Sequence, residues 1–105
     1  MRKSTHPAVL FDNRGILIEG NAALSDLLGY DVETLRGVAL TDVVPPSELE
    51  SRPPQFPELA VGATLELPRT LRHREGHPVE VFARVKRLSD DRFVAVLESL
   101  VRQNA

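Results

Sequence analysis

Residues 16–37 read ILIEGNAALSDLLGYDVETLRG, and their punctuation decides the fold. Ile16-Leu17-Ile18 is a short apolar run that suits a strand. Asn21 follows, a residue whose side-chain oxygen can accept from a free backbone N–H in the first turn of a helix. Leu24, Leu27 and Leu28 then fall at i, i+3 and i+4, one apolar stripe facing a core. Gly29 suits the left-handed position just past a helix end. Asp31 is placed to cap a second, very short helix, with Glu33 in its first turn and Val32 and Leu35 on one side. Gly37 stops that helix. A strand is thus followed by two short helices, each halted at a glycine.

Working outward, Ala8-Val9-Leu10-Phe11 is another apolar run. Asp12-Asn13-Arg14-Gly15 separates it from Ile16 and is a turn by composition, so the two runs predict a β-hairpin. Beyond Gly37, Leu40, Val43 and Val44 cluster before Pro45-Pro46. Ser47 and Glu50 have capping-box spacing, which predicts a brief helix. Pro53, Pro54 and Pro57 forbid a long one. From Thr64 the period changes to two. Leu65, Leu67 and Leu71 share one parity. Arg72 to Pro78 form a turn, and Val79, Val81, Ala83 and Val85 alternate with Glu80, Phe82, Arg84 and Lys86. Ser89-Asp90-Asp91 is a second turn, and Phe93 to Leu97 is apolar on both parities. The order β-β-α-α-α-β-β-β predicts an α+β fold: one antiparallel sheet with the helices on one face.

The whole chain supports one domain. It has 105 residues, charged residues at 27% and a net charge of −2, which gives no global field toward nucleic acid or an anionic membrane. It has no cysteine, which removes disulfides, thiol nucleophiles and cysteine metal sites and fits a cytoplasmic setting. No segment approaches the roughly 20 apolar residues of a membrane span, and no secretory signal follows Met1.

Asp12 and Gly15 in the first turn, Asn21-Ala22-Ala23, Leu28-Gly29-Tyr30, Leu35-Arg36-Gly37 and Arg74-Glu75-Gly76 together resemble a PAS domain. The resemblance covers about residues 8–101, leaving 1–7 as a flexible N-terminal segment and 102–105 as a tail. It implies a five-stranded antiparallel sheet with short helices wrapped over one face, a small core cavity between them, and a sensory role. Two motifs depart from the family pattern. Pro46-Ser47-Glu48 keeps the proline of the usual Pro-x-Asp but has glutamate. Leu97-Glu98-Ser99-Leu100-Val101 lacks the Asp-(Ile/Val)-Thr exit, which puts the usual coupling to a downstream effector in doubt.

The candidate pocket liners are Ala22, Leu27, Leu28, Tyr30, Leu35, Leu40, Val43, Leu65, Val81 and Ala83. Leucine, valine and alanine dominate, so a ligand would be small or mostly apolar. No cofactor is expected. The photosensory branch of the family uses a reactive cysteine, and this chain has none, so flavin is not expected. Haem-binding members use an axial histidine before the third strand, and Pro53 to Gly62 has none. His73 and His77 flank a turn with Glu75 between them; among arginines they read as solvated, and no metal site is expected. Arg69, Arg72, Arg74, Arg84, Lys86 and Arg87 read as a solvated strand face, interleaved with Glu66, Glu75 and Glu80, and no direct nucleic-acid contact is expected. There is no phosphate loop, nucleophile elbow or H-E-x-x-H, and Asp90-Asp91 are turn formers, so catalysis is not expected in this domain.

A sheet covered on one side should alternate apolar and polar residues. Phe93, Val94, Ala95, Val96 and Leu97 do not, and Phe82 adds an apolar residue on the outward parity of the strand before. The outer face therefore carries an apolar patch, which predicts a homodimer through Phe82, Phe93, Val94, Ala95, Val96 and Leu97, with the parity of the last strand left open. The resulting expectation is a sensory or interaction module of a signalling protein, a sensor histidine kinase or transcription regulator, binding a small ligand or protein partner and relaying through dimer geometry. The alternative is a constitutive dimerisation domain with a filled core and no ligand.

Overall fold

Asp12 builds the first turn. Its Oδ1 accepts from the N–H groups of Arg14 and Ile16, both at 2.9 Å. The Ile16 bond is the main reason its carboxyl sits below the ordinary value, with the Arg14 N–H and guanidinium adding to it against a partial loss of solvent. This turn joins strands β1, Ala8–Phe11, and β2, Leu17–Gly20. The computed structural model describes residues 6–51 and 58–99. The readings of Pro53, Pro54 and Pro57, and of the domain end at 101 with its tail, lie outside those residues.

Helix α1, Ala22–Leu28, starts where Asn21 predicts. The Asn21 Oδ1 accepts from Leu24 N–H at 2.9 Å and also from Ala8 N–H at 3.1 Å, while its Nδ2 donates to the His6 carbonyl at 2.9 Å. One side chain thus caps the helix and ties it to β1. Helix α2, Val32–Leu35, follows; Asp31 stands at its N-cap but makes no side-chain capping bond. The chain after α2 runs beside β2: Leu17 N–H donates to Val38 O and Gly37 N–H to Leu17 O, each at 2.8 Å. Ile16 is thereby drawn into a bridge with Ala39 rather than into β2.

A 3-10 turn at Leu40–Val43 leads to helix α3, Pro46–Ser51. Here the expected capping box is not used. Pro46, with its fixed φ and no N–H to leave unpaired, takes the first helical position, so Ser47 lies inside the helix. Strands β3, Thr64–Arg72, β4, Pro78–Ser89, and β5, Arg92–Ser99, complete the chain. The sheet runs β2-β1-β5-β4-β3 with every neighbouring pair antiparallel. This is the five-stranded α+β arrangement expected. Pro68 sits in the middle of edge strand β3 without breaking its register with β4, so its missing N–H faces away from β4.

The parity of β5 is set by a β-bulge between Arg87 and Ser89. Ser89 pairs with Arg92 across the Asp90-Asp91 turn, but Leu88 has no partner, so Arg87 faces Phe93 and Val85 faces Ala95. Were Leu88 instead paired with Phe93 in a regular ladder, Val85 would face Val96, and every β5 side chain would change sides. Residues directly opposite share a face, and Val85 is buried. Phe93, Ala95 and Leu97 therefore point into the core, with exposures of 0%, 6% and 5%. This corrects their assignment to an outer interface, which Val94 and Val96 alone of β5's apolar residues can serve. Phe93 stacks on Phe11 with centroids 5.3 Å apart, and the Arg87 guanidinium lies 4.9 Å from the Phe93 centroid.

Candidate functional site

Between the inner face of the sheet and the helices lies a cavity of about 100 Å³. Its floor is Val9 and Phe11 of β1, Leu65, Leu67 and Leu71 of β3, Ala83 and Val85 of β4, and Ala95 and Leu97 of β5. Leu24 and Leu28 of α1 and Leu40, Val43 and Val44 of the following segment form its roof, with Leu17 beside them. The space has a local cause. Ala83 and Ala95 are small, and they lie diagonally across the β4–β5 ladder at the centre of the sheet, where larger side chains would fill the volume.

Among the described residues, only Thr41 and Arg69 bring polar side chains to this wall. Arg69 Nη1 donates to Glu48 Oε2 at 3.3 Å, joining β3 to α3. Glu48 is 5% exposed, so this pair has lost most of its water. A charge removed from water is held only with a partner, and each side chain here supplies one for the other.

No family model matches the sequence, and no curated protein matches it. Solved structures do. The PAS domain of an HTR-like protein from Haloarcula marismortui is 21% identical with a TM-score of 0.82, over 93% of this chain and 84% of that one. The PAS domain of the Cronobacter turicensis RpfR quorum-sensing receptor, in complex with C12:0, is 16% identical with a TM-score of 0.80, over 96% and 99%. The PAS domain of a LuxR-family transcriptional regulator from Burkholderia thailandensis, in complex with ethanol, is 18% identical with a TM-score of 0.72, over 90% and 88%. The fold is that of a PAS domain.

Within this PAS fold, the predicted liners separate. Leu28, Leu40, Val43, Leu65 and Ala83 reach the cavity. Leu35 and Val81 are buried in the same core away from the cavity wall, and Leu27 and Tyr30 are half-buried against it. Ala22 is exposed, because the first residue after the Asn21 cap turns outward; it is no liner. Arg69 was not expected in the wall. Its signal was present: Leu67, Arg69 and Leu71 share one parity, and an arginine on an apolar parity must find a buried partner or water. The reading of the meander arginines as a solvated face is corrected at two positions. Arg69 is paired with Glu48, and Arg87 donates to the carbonyls of Leu59 and Asp90 at 2.7 and 2.6 Å. Arg84 does lie on the exposed face, 3.0 Å from Glu66.

The PAS sheet also brings two other groups together. At the β3–β4 turn, His73, Glu75 and His77 place their ligand atoms within 4.8 Å of one another. On the outer face, Phe82 and Val96 line a shallow groove of about 60 Å³ with His6, Arg84, Leu97 and Glu98. His6 and Pro7 are held there, since their carbonyls accept from Asn21 Nδ2 and Leu97 N–H. No helix among the described residues is long and apolar enough to cross a membrane.

Proposed function

We propose that this domain is the sensory module of a signalling protein and holds a small, mostly apolar ligand between sheet and helices. The apolar cavity of about 100 Å³ carries this reading. An apolar cavity of roughly 150 Å³ admits benzene, so this one suits a molecule of a few heavy atoms rather than a long acyl chain. Thr41 and Arg69 would receive one polar group of that ligand. The ethanol and C12:0 complexes of similar PAS domains support ligand binding at the level of the fold. The ligand would shift a population between two dimer arrangements by binding one of them better, with Phe82, Val94 and Val96 at the contact between copies. The output, a kinase or a transcription regulator, would belong to the rest of the parent protein.

The test is native mass spectrometry of freshly purified protein, paired with melting curves in short-chain alcohols and aromatic solvents. The wild type is expected to carry extra mass or to melt higher with such a ligand. Ala83→Leu fills the cavity from its floor and is expected to stay folded and lose both effects. A wild type that carries nothing and responds to none of these molecules would leave the alternative, a dimerisation domain without a ligand.

A further inference from the structure

We propose that the tip of the β3–β4 hairpin binds a divalent transition-metal ion of the zinc class, with His73, Glu75 and His77 as its protein ligands. Two imidazoles and a carboxylate form a donor set that suits Zn2+, Ni2+ or Cu2+ and does not suit Mg2+ or Ca2+. The backbone brings them together. His73 N–H donates to His77 O at 2.9 Å, so the two residues close the turn and their side chains leave it on one side. Their rings stack with centroids 4.2 Å apart, and the three ligand atoms lie within 4.8 Å of one another. Ligand atoms about 2.0–2.2 Å from a tetrahedral ion stand a little over 3 Å apart. The remaining closure needs only side-chain rotation by Glu75 and His77, which are exposed.

His73 is the fixed member. Glu75 N–H donates to its Nδ1 at 3.0 Å. That bond keeps Nδ1 unprotonated, and an ion bound at Nδ1 would take the place of the Glu75 N–H as partner of its lone pair. The far edge of the ring lies on Gly29, where a Cβ would come within 2.5 Å of Cε1. Arg74 N–H donates to Leu28 O at 2.8 Å, which anchors the turn to the end of α1. Two neighbouring arginines are held elsewhere or solvated. Arg72 Nη2 donates to the Asp42 carbonyl at 3.2 Å, and the Arg74 side chain is exposed to water, which screens it. A carboxylate in the set offsets part of the ion's charge, and water would complete its coordination.

The measurement is calorimetric titration of ZnCl2 into the full chain freed of any affinity tag. Saturable binding of one Zn2+ per chain is expected, with no binding of Mg2+ at the same concentrations. His77→Ala removes an exposed ligand without touching the core and should weaken Zn2+ binding at least about tenfold, as should Glu75→Gln to a smaller degree. Both variants should melt like the wild type in the presence of a chelator, and His6→Ala should bind as the wild type does. Absence of Zn2+ binding by the wild type would overturn the proposal, and so would equal binding by wild type and His77→Ala.

Discussion

Phe93 and Phe82 lie on neighbouring strands of one sheet and point to opposite sides. Phe93 has no exposure, stacks on Phe11 and carries the Arg87 guanidinium on its ring. Phe82 is half-buried and sits between Pro68 and Glu98 in the ladders to either side. One phenylalanine is part of a closed core, and the other offers its ring at a surface. Hydrophobicity does not separate them. Strand register does, and here register depends on the single unpaired residue Leu88.

Deleting Val94 attacks the comparison most directly. Phe93 and Ala95 would become chain neighbours, which point to opposite faces of a strand, so Phe93 and Leu97 could not both stay in the core. The expected result is loss of cooperative folding, seen as a lost near-UV circular dichroism signal. A variant that unfolds like the wild type in urea would show that strand face does not separate Phe93 from Phe82. Phe93→Ala comes next. It should cost about 3–5 kcal/mol, because the transfer of the ring and the void left beside Phe11 add together. Urea unfolding measures it, and a loss under about 1 kcal/mol would move Phe93 out of the core.

Phe82→Glu should change stability by only about 0.5 kcal/mol, since it touches a surface. Its expected effect is on association: the wild type should elute and sediment as a dimer and the variant as a monomer. A variant that remains dimeric would remove Phe82 from the contact. The smallest effect is expected at Asp12, where β1 leaves the inner face. Its carboxyl is lowered from 3.8 in the fold. The associated stability is present above 3.8 and is lost as pH falls through the lowered folded value. Asp12→Asn should flatten that acid limb in melting curves between neutral pH and strong acid. An unchanged slope would mean that the Ile16 and Arg14 bonds do not favour the ionised form.

The parts of the fold legible in the sequence were those with local causes. Asn21 and Gly29 bracket α1 because a cap and a left-handed residue act on adjacent backbone groups. The alternation of Val79, Val81, Ala83 and Val85 fixes the inner face of β4. The parity of β5 was not legible, because both of its parities are apolar and the deciding residue lies in the previous strand. The cavity was half legible. Leu28 and Ala83 follow from pattern, but Arg69 is paired in the wall with Glu48, which comes from a helix remote in sequence. The segment beside β2 was missed for another reason: it is held by backbone bonds, which carry no side-chain signature.

Pro68 has a consequence for how many copies of this chain can meet. A free strand edge invites another strand, and repeated edge pairing has no natural end. A strand laid along β3 would find no donor at Pro68, so growth in that direction loses a rung at its midpoint. The proline thus works against open-ended strand growth along β3.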